Sequence, residues 1–179
     1  YGVGTRIEQV VLLPILGINT AIISIIAQNY GANNVNRIKE TYFTAIKYAF
    51  IIMITAGTLV FLSANIITSF FSSDPEVIEY GKRYLRISAF VLPAYPVFFL
   101  SNGFFMALKK SENAMISNLF RNVLNPIVVF YIAKYFNASF DTFFWTWAGI
   151  NWFFSISYFF IILYYFKSRL DKSSAVVHP

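Results

Sequence analysis

Long uncharged runs dominate the pattern of apolar and polar positions along this chain. Four stretches contain no Asp, Glu, Lys or Arg: residues 9–36, 48–73, 87–108 and 142–166. A fifth, residues 113–133, is interrupted by one charge at Arg121. About 20 apolar residues in a helix cross the hydrocarbon core of a bilayer. The pattern therefore predicts an all-α, polytopic membrane bundle with about five transmembrane helices.

Turn signals between the runs define the predicted helix boundaries. Gly31, which can adopt the left-handed conformation that ends a helix, closes the first span. The sequence Asp74-Pro75-Glu76 is typical of a helix start, with proline at the first helical position. The predicted spans are residues 7–27, 44–70, 85–108, 113–133 and 142–166, followed by a polar tail over residues 167–179.

Two prolines interrupt the third predicted span. Pro93 and Pro96 each remove a backbone hydrogen bond and free a carbonyl four residues earlier, at Ala89 and Leu92. Such breaks persist in membranes only where neighbouring helices or a water-filled cavity satisfy the freed groups. We therefore expect this span to be kinked and to lie inside the bundle or beside a cavity.

Composition agrees with a membrane protein and excludes several other classes. Charged residues make up 12% of the chain, against roughly a quarter in soluble domains. The 21 Phe and 12 Tyr residues suit a bilayer and its interfaces. The sequence has no cysteine, which excludes disulfides and thiolate metal sites. The net charge of +6 is explained by basic cytoplasmic loops, so no nucleic-acid partner is predicted.

The basic residues are unevenly divided between the two predicted membrane faces. Five lie on the face that holds Arg6 and Lys134, and nine on the face that holds the C-terminal tail. Because Lys and Arg are enriched in cytoplasmic loops, this bias predicts a cytoplasmic C-terminus. The nine are Arg37, Lys39, Lys47, Lys109, Lys110, Arg121, Lys167, Arg169 and Lys172.

Polar residues inside the spans are the candidates for chemistry. At about 100° per residue, Glu8 and Asn19 fall within roughly 20° of each other on the first helix. An ionisable group within a span indicates a functional site. With Arg6, Gln9 and Asn102, these residues are the predicted coupling or substrate cavity. Pairing of Glu8 with Arg6 or with lipid headgroups, and simple packing for Asn102, remain open.

A second polar group lies near the predicted cytoplasmic start of the fourth span. Arg121, Asn122 and Asn125 form a polar face whose expected role is structural anchoring, with headgroups, helix C-terminal carbonyls or Glu112 as partners for the arginine. The sequence contains no Ser/His/Asp set, no metal-binding cluster and no pair of membrane carboxylates. We therefore predict neither an enzyme nor a metal site.

Several motifs resemble the multidrug and toxic compound extrusion (MATE) transporters. The connection Phe70-Phe71-Ser72-Ser73-Asp74-Pro75-Glu76-Val77 looks like the one before the fourth helix of a MATE repeat. The first span resembles the second helix of such a repeat in Gly2-Val3-Gly4-Thr5-Arg6-Ile7-Glu8, Pro14, Gly17-Ile18-Asn19-Thr20-Ala21 and Ala27-Gln28-Asn29-Tyr30-Gly31-Ala32.

The resemblance implies a twelve-helix transporter of two lobes that alternate access while proton or sodium influx drives export. Residues 1–166 would be helices eight to twelve, the C-terminal lobe without its first helix, in a bacterial inner (plasma) membrane. The implied partners are the bilayer, the N-terminal lobe and seventh helix of the same protein, and small amphipathic, often cationic, organic substrates. No cofactor is implied beyond the coupling ion.

The odd number of spans and the initial Tyr1 fit a piece of a longer protein. Some MATE members carry acidic coupling residues in the seventh and tenth helices. The tenth corresponds here to Leu85–Leu108, which has no carboxylate. Coupling is therefore expected either in the N-terminal lobe or on Glu8.

Two alternatives remain open from the sequence. A lipid-linked oligosaccharide flippase of the same superfamily would place cationic residues, such as Arg86 and Arg121, along its cavity. A membrane scaffold subunit that transports nothing is the alternative from another functional class.

Overall fold

A computed structural model describes residues 2–135 and 139–170. The helices are α1 (Gly2–Gly31), α2 (Val35–Phe71), α3 (Pro75–Val91), α4 (Tyr95–Ala107), α5 (Ser111–Leu119), α6 (Asn125–Tyr135) and α7 (Phe140–Tyr165). A 3-10 turn, Leu92–Ala94, joins α3 to α4, and a π-helical turn, Phe120–Leu124, joins α5 to α6. Another π-helical turn, Phe166–Leu170, continues α7. Because α3–α4 and α5–α6 are each continuous, five helices of the described chain can span a membrane, which confirms the predicted fold class.

The first residues of α2 extend beyond the predicted span. The helix starts at Val35 rather than near residue 44, because the Asn34 side chain accepts a hydrogen bond from the Arg37 backbone N–H at 3.1 Å. Arg37 and Glu40 form an ion pair at 2.9 Å on this first part of the helix. The 37 residues of α2 measure about 55 Å at 1.5 Å per residue, so the charged turns reach beyond the hydrocarbon. Of the predicted polar tail, residues 167–170 continue the helix and residues 171–179 lie outside the described part.

The broken helix α3–α4 lies at the centre of the bundle. It packs against α1, α2 and α7, and 72% of its most apolar 18-residue stretch is buried, against 28% or less in the other four spans. Leu92, Leu100, Phe104 and Phe105 are among its fully buried side chains. The apolar residues exposed on the other helices suit a chain whose surroundings are lipid.

The carbonyls freed by the two prolines meet different partners. The Leu92 carbonyl accepts a hydrogen bond from the Tyr95 N–H within the 3-10 turn. The Ala89 carbonyl faces Gly57 of α2, where an added Cβ would lie 2.8 Å from the oxygen. The absence of a side chain at Gly57 therefore lets α2 approach this carbonyl closely.

Side chains of α7 also bind the backbone of the broken segment. The Trp152 indole donates to the Phe90 carbonyl at 2.9 Å, and the Ser155 hydroxyl donates to the Ala94 carbonyl at 2.9 Å. The neighbouring helices α2 and α7 thus both contact the backbone of the kink.

The π-helical turn redirects the fourth span. The Asn125 N–H bonds to the Phe120 carbonyl, five residues earlier, and Pro126 immediately follows without a donor of its own. Before the turn, α5 packs chiefly against α4, and after it α6 packs against α7.

Candidate functional site

The Glu8 carboxylate of α1 is held by a tyrosine on α3. The Tyr84 hydroxyl donates a hydrogen bond to Glu8 Oε1 at 2.7 Å. Tyr84 is 4% exposed, and its ring packs edge-on against Phe144 of α7 with the ring centres 5.1 Å apart. Three helices therefore fix the position of a single half-buried carboxylate.

Close packing of Tyr84 depends on a glycine one helical turn before Glu8. A Cβ on Gly4 would overlap the Cδ1 and Cε1 atoms of the Tyr84 ring. Glycine at this position lets the ring lie directly on α1, from which its hydroxyl reaches Glu8.

Glu8 lines a cavity of about 320 Å³ between four helices. The cavity combines one carboxylate and two hydroxyl groups, from Thr5 and Tyr84, with predominantly aromatic walls. Oxygen ligands of this kind suit a proton or a hard cation such as sodium, and the rings suit an organic cation. The lining residues are Thr5, Glu8, Tyr84, Pro126, Val129, Phe143, Phe144 and Trp147.

The residues that were predicted to form one cavity do not lie together in the structure. Arg6 and Gln9 are exposed on α1 and lie outside the lining around Glu8. In the described chain no ion pair within 4.0 Å joins Arg6 to Glu8. Asn19 lies beside Gly103 of α4, where its Oδ1 is buried without a hydrogen-bond partner among the described residues. The roles of these residues in a cavity stay predictions.

Asn102 belongs to a polar layer that ties α4 to its neighbours. Its side-chain oxygen accepts a hydrogen bond from the Tyr158 hydroxyl of α7 at 3.1 Å. The preceding residue, Ser101, shares a 2.7 Å hydrogen bond with Tyr42 of α2. Both bonds are buried, so this layer fixes the position of the central helix within the bundle.

The polar face of the fourth span is split by the structure. Arg121 and Asn125 point inward, Asn125 being 2% exposed, whereas Asn122 is exposed. The Arg121 guanidinium lies over the rings of Tyr95, Phe98 and Phe99, at 4.6, 4.2 and 5.4 Å from their centres. The anchoring role predicted for this face stays a prediction, but the observed partners of Arg121 are rings of α4.

The position of Arg121 also affects the charge count that predicted the orientation. Arg121 is ten residues into the span that begins at Ser111, so it is not a loop charge. Without Arg121, eight basic residues lie on the face that holds the C-terminal tail and five on the other face, so a cytoplasmic C-terminus is still predicted.

Sequence reasoning missed Tyr84 and the aromatic wall of α7. Tyr84 follows Lys82 and Arg83, so it resembles an interfacial residue rather than a ligand of a carboxylate. The glycine at position 4, four residues before Glu8, is the local signal that a ring from another helix approaches there. The local sequence does not specify which helix supplies the ring, because that depends on how the helices pack against one another.

Replacing Tyr84 by Phe tests the hydrogen bond without changing the packing of the ring. A hydrogen bond to a charged group contributes about 1.5–3 kcal/mol, so losing it frees the Glu8 carboxylate to move. We expect the half-saturating concentration of the coupling cation to change by about tenfold or more in transport assays on the full-length protein. Tyr80→Phe, at an exposed tyrosine of the same helix, is the control, and an unchanged value for Tyr84→Phe would contradict a positioning role.

The structure resembles solved membrane transporters. A structure described as the inward-facing conformation of a multidrug resistance MATE family transporter of the MOP superfamily matches with a TM-score of 0.88 at 23% identity, covering 96% of this chain and 40% of that chain. This likeness shows that the fold is shared.

Two curated proteins are related in sequence. The FAD transporter of Shewanella oneidensis is 23% identical over 138 residues, which are 77% of this chain and 30% of that protein. The multidrug export protein MepA of Staphylococcus haemolyticus is 24% identical over 139 residues, which are 78% of this chain and 30% of that protein. The chain thus spans less than a third of the length of either relative.

The family follows from a match over most of the chain. Residues 1–132 match the MatE family, and members of this family are transporters rather than enzymes. With its five membrane helices and the shared fold, this chain belongs to the MatE family of multidrug efflux transporters and corresponds to part of such a protein.

Proposed function

We propose that this chain forms helices eight to twelve, in the C-terminal lobe of a secondary active transporter that exports amphipathic organic compounds in exchange for protons or sodium. The basic C-terminal tail supports this placement, and the share of each relative's length that the chain covers fits one part of a two-lobe protein. The observation that carries the proposal is the Glu8 carboxylate in a cavity with aromatic walls.

Glu8 is the proposed coupling residue of this lobe. A single half-buried carboxylate attracts either an incoming cation or a positively charged substrate, and one negative charge stabilises only one of them fully. Because both would occupy the same 320 Å³ cavity, arrival of the coupling cation favours release of the substrate. Competition for one charge is a physical basis for exchange transport.

The cavity walls suggest the class of substrate. Tyr84, Phe144 and Trp147 line the same cavity as the carboxylate, and a cavity with rings and one negative charge favours flat cationic organic molecules. Names of the relatives include both a multidrug export protein and an FAD transporter, and FAD is acidic. Because the names of the relatives do not agree on the charge of the substrate, the negative charge of Glu8 is the better guide to the substrate class, and it favours cations.

The flippase alternative has less support from the arginine positions. Arg121 lies over rings of α4, whereas the exposed Arg86 lies over Phe61 of α2, with its guanidinium carbon 5.3 Å from the ring centre. The two arginines contact different helices, so they do not form the shared cationic lining that a lipid-linked, phosphate-bearing substrate requires.

Proteoliposomes that contain the full-length protein test the proposed function. We expect a fluorescent organic cation to move against an imposed proton or sodium gradient, and to stop when that gradient is collapsed with an ionophore. Liposomes without protein are the control. Folded protein that moves no organic cation under either gradient would contradict the proposal and favour the scaffold alternative.

The predicted orientation and location complete the proposal. The C-terminal tail is placed in the cytoplasm, and the membrane is proposed to be the bacterial inner (plasma) membrane.

A further inference from the structure

A second cavity, of about 260 Å³, lies between α5 and α7 and is backed by α4. It is separate from the lining around Glu8. Most of its walls are apolar, with Phe98 buried at the back and Phe120 and Phe153 exposed at the sides. Arg121, Ser157 and Tyr158 add polar groups to the same lining. We call this cavity the Arg121 groove.

The π-helical turn explains why the groove exists. Residues before the turn pack chiefly against α4, and residues after it pack against α7. Before residues 120–124 the helix therefore does not pack against α7, and a space between α5 and α7 stays open. Ile116 and Ile161, on the two sides of this space, are half exposed.

Arg121 supplies a positive charge to the lining of the groove. Three rings lie around its guanidinium and the Tyr95 side chain hydrogen-bonds to it, but a guanidinium has five N–H donors, so others remain for a ligand. In the described part of the chain no carboxylate lies within 4.0 Å of it; Glu8 acts on it only through space. A cation inside a span is costly and usually has a partner.

Hydroxyl groups add donors to the same lining. Ser157 is half-buried on α7 and makes no hydrogen bond with the described residues, so its O–H is available to a ligand. Ser117 already donates to the Asn113 carbonyl at 2.9 Å. Arg121 and Ser157 therefore both contribute donors to the lining of a mostly apolar groove.

We propose that the Arg121 groove binds an acidic amphiphile from the bilayer, a long-chain monocarboxylic acid, with its carboxylate on Arg121 and Ser157 and its alkyl chain along Phe120 and Phe153. The donors fit a carboxylate, since charge-assisted bonds from arginine to carboxylate are short and strong. The exposed apolar side walls fit one alkyl chain arriving from lipid. This site is independent of the export function proposed above.

The size of the groove favours a single-chain acid over a phospholipid. Its volume of about 260 Å³ leaves room for one alkyl chain beside Arg121, but not for two chains and a headgroup.

Binding of radiolabelled oleate to the purified full-length protein tests the proposal, with methyl oleate as the uncharged probe. Arg121→Gln is expected to weaken oleate binding by about tenfold and to leave the weaker methyl oleate binding unchanged. Arg86→Gln, another arginine that lies over a ring, is the matched control and should bind oleate like the unmodified protein.

Two further variants keep the test decisive if Arg121→Gln does not fold. Arg121→Lys retains the charge and should keep the preference for oleate over its ester. Ser157→Leu fills the groove and should weaken binding of both probes. Equal oleate binding by the unmodified protein and Arg121→Gln, or equal affinity for acid and ester, would overturn the proposal, as would competition by an acidic phospholipid at the same strength as oleate.

Discussion

Glu8→Gln in the full-length transporter is expected to slow cation-driven export by about tenfold or more, because it removes the only carboxylate that lines the described cavity. Glutamine has nearly the same shape, and its side-chain oxygen can still accept the hydrogen bond from Tyr84. The variant therefore changes the charge of the site while it preserves the packing around it.

The measurement is substrate efflux from proteoliposomes under imposed proton and sodium gradients, with the amount of folded protein determined in parallel. Glu112→Gln, at an exposed carboxylate in the first turn of α5, is the control and should transport normally. Downhill movement of a cationic substrate without a gradient should persist at a lower apparent affinity in Glu8→Gln, since the pathway is unchanged but the charge that attracts the substrate is lost. Normal coupled export would place the coupling residue elsewhere.

The second large effect is expected for Gly57→Ala, which should destabilise the folded protein. An alanine Cβ would lie 2.8 Å from the Ala89 carbonyl oxygen, and the contact is with backbone that cannot rotate away. Such overpacking costs about 1–3 kcal/mol, more than the gain of up to about 1 kcal/mol in helix propensity. The carbonyl involved is the one that Pro93 leaves without its usual donor, so the substitution also disturbs the kink.

Thermal unfolding of the full-length protein in detergent measures this effect. We expect Gly57→Ala to lower the midpoint by about 3 °C or more. Gly17→Ala is the matched control, because a Cβ there meets nothing within 4 Å, and its midpoint should stay the same or rise. Equal midpoints for the two variants would show that α2 does not hold the kink of α3–α4.

The kink also lies between the residues that belong to the two cavities. Tyr84, which holds Glu8, lies before the 3-10 turn, and the rings that cover Arg121 begin immediately after it. A change in the bend would therefore move the two polar sites relative to each other. Gly57 is expected to affect transport through this geometry even though it lines neither of them.

Some features of the site were predictable because they depend on helix periodicity alone. Glu8 and Asn19 were predicted to share one face of the first helix, and in the structure both turn toward α3–α4. Their individual partners were not predictable. Tyr84 is 76 residues from Glu8 in the chain, and no local pattern specifies such a pairing.

The polar face of the fourth span shows where periodicity fails. Arg121, Asn122 and Asn125 were grouped on the assumption of a regular α-helix. In the structure Asn122 is exposed and Asn125 is buried, and the π-helical turn over Phe120–Leu124 includes an extra residue within this face. The uncharged run around these residues gives no sign of that turn.

The sequence by itself determined that this chain is a bundle of five membrane helices, that its third helix is broken, and to which family it belongs. These conclusions rest on hydropathy, proline positions and motifs, which are local properties of the chain. Only the tertiary structure decided that Glu8 pairs with Tyr84 and that Arg121 lies among aromatic rings. Both contacts join residues far apart in sequence, so they depend on the order in which the helices pack and on the bends that orient their side chains.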